Sequence, residues 1–97
     1  MTHKIDDILA ERKQTHGRFE DVAYLTEALA RTFGLHDPTL FEDEYRSASS
    51  MKKKAIYMLF SKLARIRCGD SDFLDHWDDL AGYPKLVSNY LRKQKEK

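Results

Sequence analysis

A lysine stands where the surrounding pattern calls for a leucine. Between Ser50 and Arg67 the residues Ala55, Met58, Leu59, Leu63 and Ile66 recur at helical spacing. At about 100° per residue, Lys62 projects into the middle of that stripe and Arg65 lies on its flank. An ammonium in such a place either reaches water along its aliphatic stem or meets an anion, because leaving it unpaired among carbon costs on the order of several kcal/mol. Two roles are open for it: one half of a structural ion pair, or a cation held for a phosphate or carboxylate. The anions are found further on. Asp72, Asp75, His76, Asp79 and Tyr83 follow one another at i, i+3, i+4, i+7 and i+11, which places them along one helical face. Asp75, Asp79 and His76 at this spacing can converge on one divalent metal. Magnesium takes carboxylate oxygen plus water, whereas zinc would welcome the imidazole. Acids in a first helical turn also simply complement the helix dipole, which accounts for Asp72 and Asp75 but not for Asp79 or Tyr83, deeper in the helix. The spacing predicts that Lys62 is buried and paired with Asp75 or Asp79, or with Glu20 or Asp21 from elsewhere in the chain.

A third polar constellation is Thr15-His16-Gly17-Arg18-Phe19-Glu20-Asp21. Thr15 and Gly17 predict a tight turn between helices, His16 and Asp21 are placed to orient a ligand or a side chain, and Glu20 and Asp21 suit the start of the next helix. The polar concentration in this turn and in residues 70–83 predicts that the two segments meet. Cys68, beside Gly69, reads as a partly buried thiol, since no sequence-local partner marks it as activated. There is neither a nucleophile elbow nor a glycine-rich phosphate loop. Lys52-Lys53-Lys54 reads as a solvated face, with phosphate-backbone contact as its alternative.

These residues must be positioned by helices. The chain has 97 residues and a mass of 11.4 kDa, enough for one domain spanning 1–97. Apolar residues recur at three and four rather than two, which predicts an all-α bundle. A short first helix is expected over about Lys4–Gln14, with Ile5, Ile8 and Leu9 inward. The second runs about Phe19–Phe33, with Val22, Leu25, Leu29 and Phe33 inward and Gly34 as its C-cap. Residues 35–50 form an irregular connection with at most one helical turn. The third helix spans about Ser50–Arg67. The fourth opens after Asp70-Ser71-Asp72 and carries Phe73, Trp77, Leu80, Val87 and Leu91 inward, with Trp77 at the centre of its core face. Pro84 is expected to kink or break it, and the tail from about 92 to fray. With Lys and Arg numbering 17 against 16 acids, nucleic acid is not the favoured partner. One cysteine excludes an internal disulfide and a four-cysteine zinc site. No apolar run reaches the length of a membrane span.

Two segments carry a resemblance. Ile8-Leu9-Ala10-Glu11-Arg12 running into Thr15-His16-Gly17, with Phe19 and Asp21, is one. Lys62-Leu63-Ala64-Arg65-Ile66 through Gly69-Asp70 to Asp75-His76-Trp77-Asp78-Asp79-Leu80-Ala81-Gly82-Tyr83 is the other. Together they resemble a family of small helical phage and prophage proteins related in pattern to the nucleotide-modification-associated domain. More distantly, the chain is similar to the MazG-type all-α nucleotide pyrophosphatases, in which acids on paired helices hold magnesium against a nucleotide's phosphates. Asp75 and Asp79 stand near the second acidic motif of that superfamily. In place of its glutamate-rich first motif the chain has only Glu20-Asp21, so hydrolysis is not implied.

The resemblance implies a phage accessory protein working in the host cytoplasm and binding a nucleotide or nucleotide-derived ligand. Lys62 and Arg65 would hold phosphate. Asp75, Asp79 and His76 would hold a metal, with Mg2+ as the implied ion. His16, Asp21 and Tyr83 would orient the ligand. The other expectation is a non-enzymatic interaction protein that inhibits or redirects a host nuclease or defence factor. Self-association through exposed aromatics is compatible with either.

Overall fold

The computed structural model describes residues 4–42 and 44–96. They form four helices, α1 (Lys4–His16), α2 (Phe19–Phe33), α3 (Arg46–Cys68) and α4 (Leu74–Lys95), and no strand among the described residues. No helix among them is long and apolar enough to cross a membrane. The central element is α3, against which both α2 and α4 pack. A helix with two neighbours needs two contact faces, and α3 has them. Tyr57, Phe60 and Ala64 face α2, where Phe60 meets Phe33 edge-on at 5.5 Å and the Tyr57 hydroxyl donates to Glu27 at 2.8 Å. Ala55, Leu59 and Lys62 lie on the face turned to α4. The expectation of one stripe is therefore corrected: Leu63 falls between the two faces and is 42% exposed.

The core is made of small residues. Ala30 and Ala64 are fully buried, Leu35 nearly so, and Thr26 is buried with its hydroxyl donating to the Val22 carbonyl at 2.7 Å. Small side chains let α2 and α3 approach closely, so the larger residues of the α2 stripe flank the seam half-exposed instead of filling it. Gly34 ends α2 as expected. It takes the left-handed conformation at φ 88°, and with Leu35 it returns N–H groups to the carbonyls of Ala30 and Arg31. This turn is what carries Leu35 into the core.

Three boundaries differ from the sequence reading. α3 starts at Arg46 rather than Ser50. Residues 92–95 belong to α4. Pro84 does not break α4, because the absent N–H removes a single intrahelical bond while Leu80, Tyr83 and Val87, all half-buried, hold both sides of it to the bundle. Trp77 is also corrected. It is 51% exposed, its indole N–H donating to the Ser71 carbonyl at 2.7 Å, and the neighbouring His76 is the residue of α4 that is buried. One step along a helix rotates the face by about 100°, and the inward side of α4 is centred on His76, Tyr83 and Val87.

α1 joins this bundle at a backbone crossing. Gly17, at φ 86°, and Gly69 pass so close that a Cβ built on Gly69 would stand 2.3 Å from the Thr15 carbonyl oxygen and 2.7 Å from the Gly17 nitrogen. A Cβ on Gly17 would stand 2.6 Å from the Cys68 Cβ. Gly69→Ala should therefore destabilise the fold by about 2–3 kcal/mol, as overpacking at a rigid contact does. Gly82 sets the contrast: it is helical and exposed, and a Cβ built on it would meet nothing within 4 Å. Gly82→Ala should raise stability by about 0.5–1 kcal/mol, both values read from urea denaturation midpoints.

Candidate functional site

The last turn of α1 has carbonyls with no intrahelical partner, and the rest of the molecule supplies partners for one of them. The Thr15 carbonyl accepts the Asp70 N–H at 2.9 Å and His76 Nε2 at 2.7 Å. Donation from Nε2 fixes the proton on that nitrogen. The histidine-glycine turn and residues 70–83 are thereby brought together, as their polar content predicts. His16 sits on His76 edge-on at 4.8 Å and shares a 2.6 Å hydrogen bond between Nδ1 and the Thr15 hydroxyl. Phe73 closes the cluster, 4.9 Å from His76 and 6.0 Å from His16, ring centre to ring centre.

Lys62 lies behind this junction. Its side chain is only 9% exposed, and Nζ is 2.7 Å from Asp79 Oδ2. The ammonium holds the Asp79 carboxyl below the usual carboxylate range, mainly through the hydrogen bond itself. Asp79 is 46% exposed, so the two partners are unequal: the cation is the buried member and the anion the solvated one.

Arg12 and Arg65 are not paired in this way. Arg65 is half-buried, and both burial and the neighbouring Arg12 guanidinium lower its pKa. Neither arginine has a carboxylate within salt-bridge reach among the described residues. His16 registers the same field. Burial first, then Arg65, His76, Arg12 and Lys62, push its pKa down to about 4, so the ring is neutral at pH 7. Arg12, His16 and Arg65 border an open cleft of about 530 Å³ between α1, α2 and α3. Arg12, Lys13 and His16 line it from α1, Arg18 and Phe19 from the turn and the start of α2, and Tyr57, Ser61 and Arg65 from α3.

Of the residues singled out in the sequence, His16, Arg65 and Glu20 line the cleft, Glu20 as the ion-pair partner of Arg18 and not of Lys62. Lys62 is committed to Asp79. Tyr83 is half-buried and close enough to Arg65 to raise its pKa, against the stronger lowering by burial and Arg12. Asp21 is exposed and 3.7 Å from Arg18, which is held chiefly by Glu20. Asp75 is exposed, Asp79 is paired with Lys62, and His76 Nε2 is bonded to Thr15. Among the described residues no three His, Cys, Asp or Glu side chains come together as a group that could hold a metal, so these three do not form a preassembled metal site. Sequence reasoning passed over Arg12, Lys13, Arg18 and Phe19 as ligand-facing residues. Arg12 carried a usable signal. It follows Ile5, Ile8 and Leu9 at i+7, i+4 and i+3, a cation on an apolar face by the same logic that marks Lys62.

The unequal burial of the pair predicts an unequal response to mutation. Asp79→Ala strands a buried ammonium and should cost about 2–3 kcal/mol, whereas Lys62→Met leaves a solvated carboxylate and should cost less, both measured by chemical denaturation. A pH series should show His16. Its folded-state pKa lies below its unfolded value, so the unfolded chain binds the extra proton first. Its contribution to stability is complete above about pH 6.5 and lost as pH falls toward 4, and His16→Gln should flatten the melting temperature across that window. Asp79, also lowered, loses its contribution only at more acidic pH. Compared with family models, curated proteins and solved structures, the chain has no match.

Proposed function

We propose that this domain binds a nucleotide or nucleotide-derived ligand, with the phosphates in the cleft between α1, α2 and α3. The observation that supports the reading is the Arg12–Arg65 pair: Arg12 is close enough to lower the pKa of Arg65, both stand at the wall of a cleft, and neither has a carboxylate within salt-bridge reach among the described residues. Like charges brought together at a half-buried position are destabilising by themselves, and an anion between them reverses the sign. Arg65 and Arg12 are the phosphate-binding groups in this reading, Lys13 adds charge at the rim, and the Tyr57 and Ser61 hydroxyls offer hydrogen bonds. Phe19, 83% exposed at the cleft mouth, offers a flat apolar face to a base. Neutral His16 lies at the floor as an acceptor or donor for the ligand. Lys62 holds Asp79 and, through α4, the junction behind the floor. Because Asp75, His76 and Asp79 are separately engaged or exposed, a magnesium ion enters this scheme as the counter-ion of the phosphates, with no protein cage of its own.

The test is a thermal-shift titration with nucleoside mono-, di- and triphosphates, with and without magnesium. Ligand at about 100 times its Kd adds about 2.7 kcal/mol of stability. A stabilisation that grows with phosphate number, weakens with salt and disappears in Arg65→Ala and Arg12→Ala is expected. A protein indifferent to every nucleotide, or one whose response survives both substitutions, would remove the cleft from consideration.

A further inference from the structure

A protein of 11.4 kDa packed as an ordinary globule exposes about 5,800 Å², yet this chain exposes 7503 Å². Its radius of gyration is 16.3 Å, where about 13 Å is expected for this length, and its longest dimension is 57 Å. The excess of about 1,700 Å² is roughly twice what one partner buries in a standard interface. α1 contributes to it. None of its residues is buried, although Ile5, Ile8 and Leu9 line up on one face and are 69%, 46% and 58% exposed.

A receptor for such a face lies on the other side of the molecule from the nucleotide cleft. An open groove of about 280 Å³ runs between α3 and α4, walled by Phe41, Ile56, Leu59, Pro84, Val87 and Leu91. Nearly all of its surface is carbon. One end of it is basic: the second turn of α3 brings Lys53 and Lys54 beside Lys52, which Glu44 pairs, and the end of α4 brings Arg92, Lys93 and Lys95. Ser47 and Tyr90 approach to 3.5 Å, which shows that these two helix ends are neighbours. The first turn of α1 carries the acids Asp6 and Asp7 beside one cation, Lys4.

We propose that the α1 apolar face seats in the α3–α4 groove of a second copy of this chain, reciprocally, as a two-fold dimer. Lengths agree with charge. From His16 back to Ile5 is about 17 Å along α1, and from Gly69 back to Ile56 is about 20 Å along α3. Two molecules meeting at their Gly17–Gly69 ends therefore bring Ile5 and Ile8 of one over the groove of the other. In that direction Asp6 and Asp7 point toward the basic end. Each copy carries both the helix and the groove, so the exchange closes on itself and leaves neither unpartnered. Leu9 and Arg12, further along the same face of α1, line the nucleotide cleft, so the seat in the partner's groove is made by Ile5 and Ile8.

The full chain studied by light scattering and sedimentation should run at twice 11.4 kDa. Ile8→Glu changes an exposed residue, so its helical circular dichroism should be unaltered, while the dimer Kd rises by about 100-fold or more. Asp6→Lys with Asp7→Lys should weaken the dimer and reduce the salt dependence of its Kd. Ile8→Cys combined with Ser88→Cys, the latter in the groove wall, should form a disulfide between chains under mild oxidation. A monomer at about 0.1 mM would overturn the proposal. So would a dimer indifferent to Ile8→Glu, or a failure of the engineered cysteines to join where the dimer persists. In either of the last two cases the α1 face is free for a different protein.

Discussion

The carbonyl of Thr15 holds the molecule together at its most constrained point. It sits at the end of α1, where the helix can offer it no partner, and it receives both the Asp70 amide and the His76 ring. That geometry requires the α1–α2 turn and the α3–α4 turn to touch backbone to backbone. They can do so only because Gly17 and Gly69 have no Cβ at the crossing. With the crossing made, the starting points of α2 and α4 are fixed against the end of α3, and the remaining packing follows from the direction in which each helix leaves.

A junction built on polar groups shapes what lies around it. Where a larger domain would fill the meeting point of four helices with leucine, this one uses two histidines, a buried lysine and backbone amides. Each is satisfied by a specific partner: His76 by Thr15, Lys62 by Asp79, His16 by the Thr15 hydroxyl. Directional bonds of this kind define one arrangement but bury little apolar area. Only Ala30, Leu35 and Ala64 constitute a buried apolar core among the described residues. The large side chains are left on the outside of the helices, half-exposed or more. The carbon-lined groove and the bare face of α1 are the largest apolar consequences of this economy.

Charge is partitioned in the same structure. α3 turns two different cations in two directions from one turn of helix: Lys62 toward α4, where an acid of the fold neutralises it, and Arg65 toward α1, where a second arginine confronts it. The first stabilises the fold. The second has no carboxylate within salt-bridge reach among the described residues, and His16, lowered first by burial and then by Arg65, His76, Arg12 and Lys62, lies in the same field. The distinction between a paired and an unpaired cation lies in which face of α3 each occupies, three residues apart.

By itself the sequence determined the all-α class, the positions of four helices to within a few residues, the Gly34 cap and the meeting of the two polar segments. These follow from local rules: helical periodicity, the left-handed freedom of glycine, and the cost of leaving Lys62 without an anion. Tertiary structure decided the rest. The burial of His76 instead of Trp77 depends on where the Thr15 carbonyl arrives, sixty-one residues away in the chain. That α3 has two faces, leaving Leu63 outside, depends on having neighbours on both sides. The pairing of Arg12 with Arg65 across the cleft depends on the glycine crossing that sets the angle of α1. Periodicity along one helix specifies which side chains share a face; which partner that face meets is set by contacts between residues far apart in the chain, and a single helix's pattern carries no record of them.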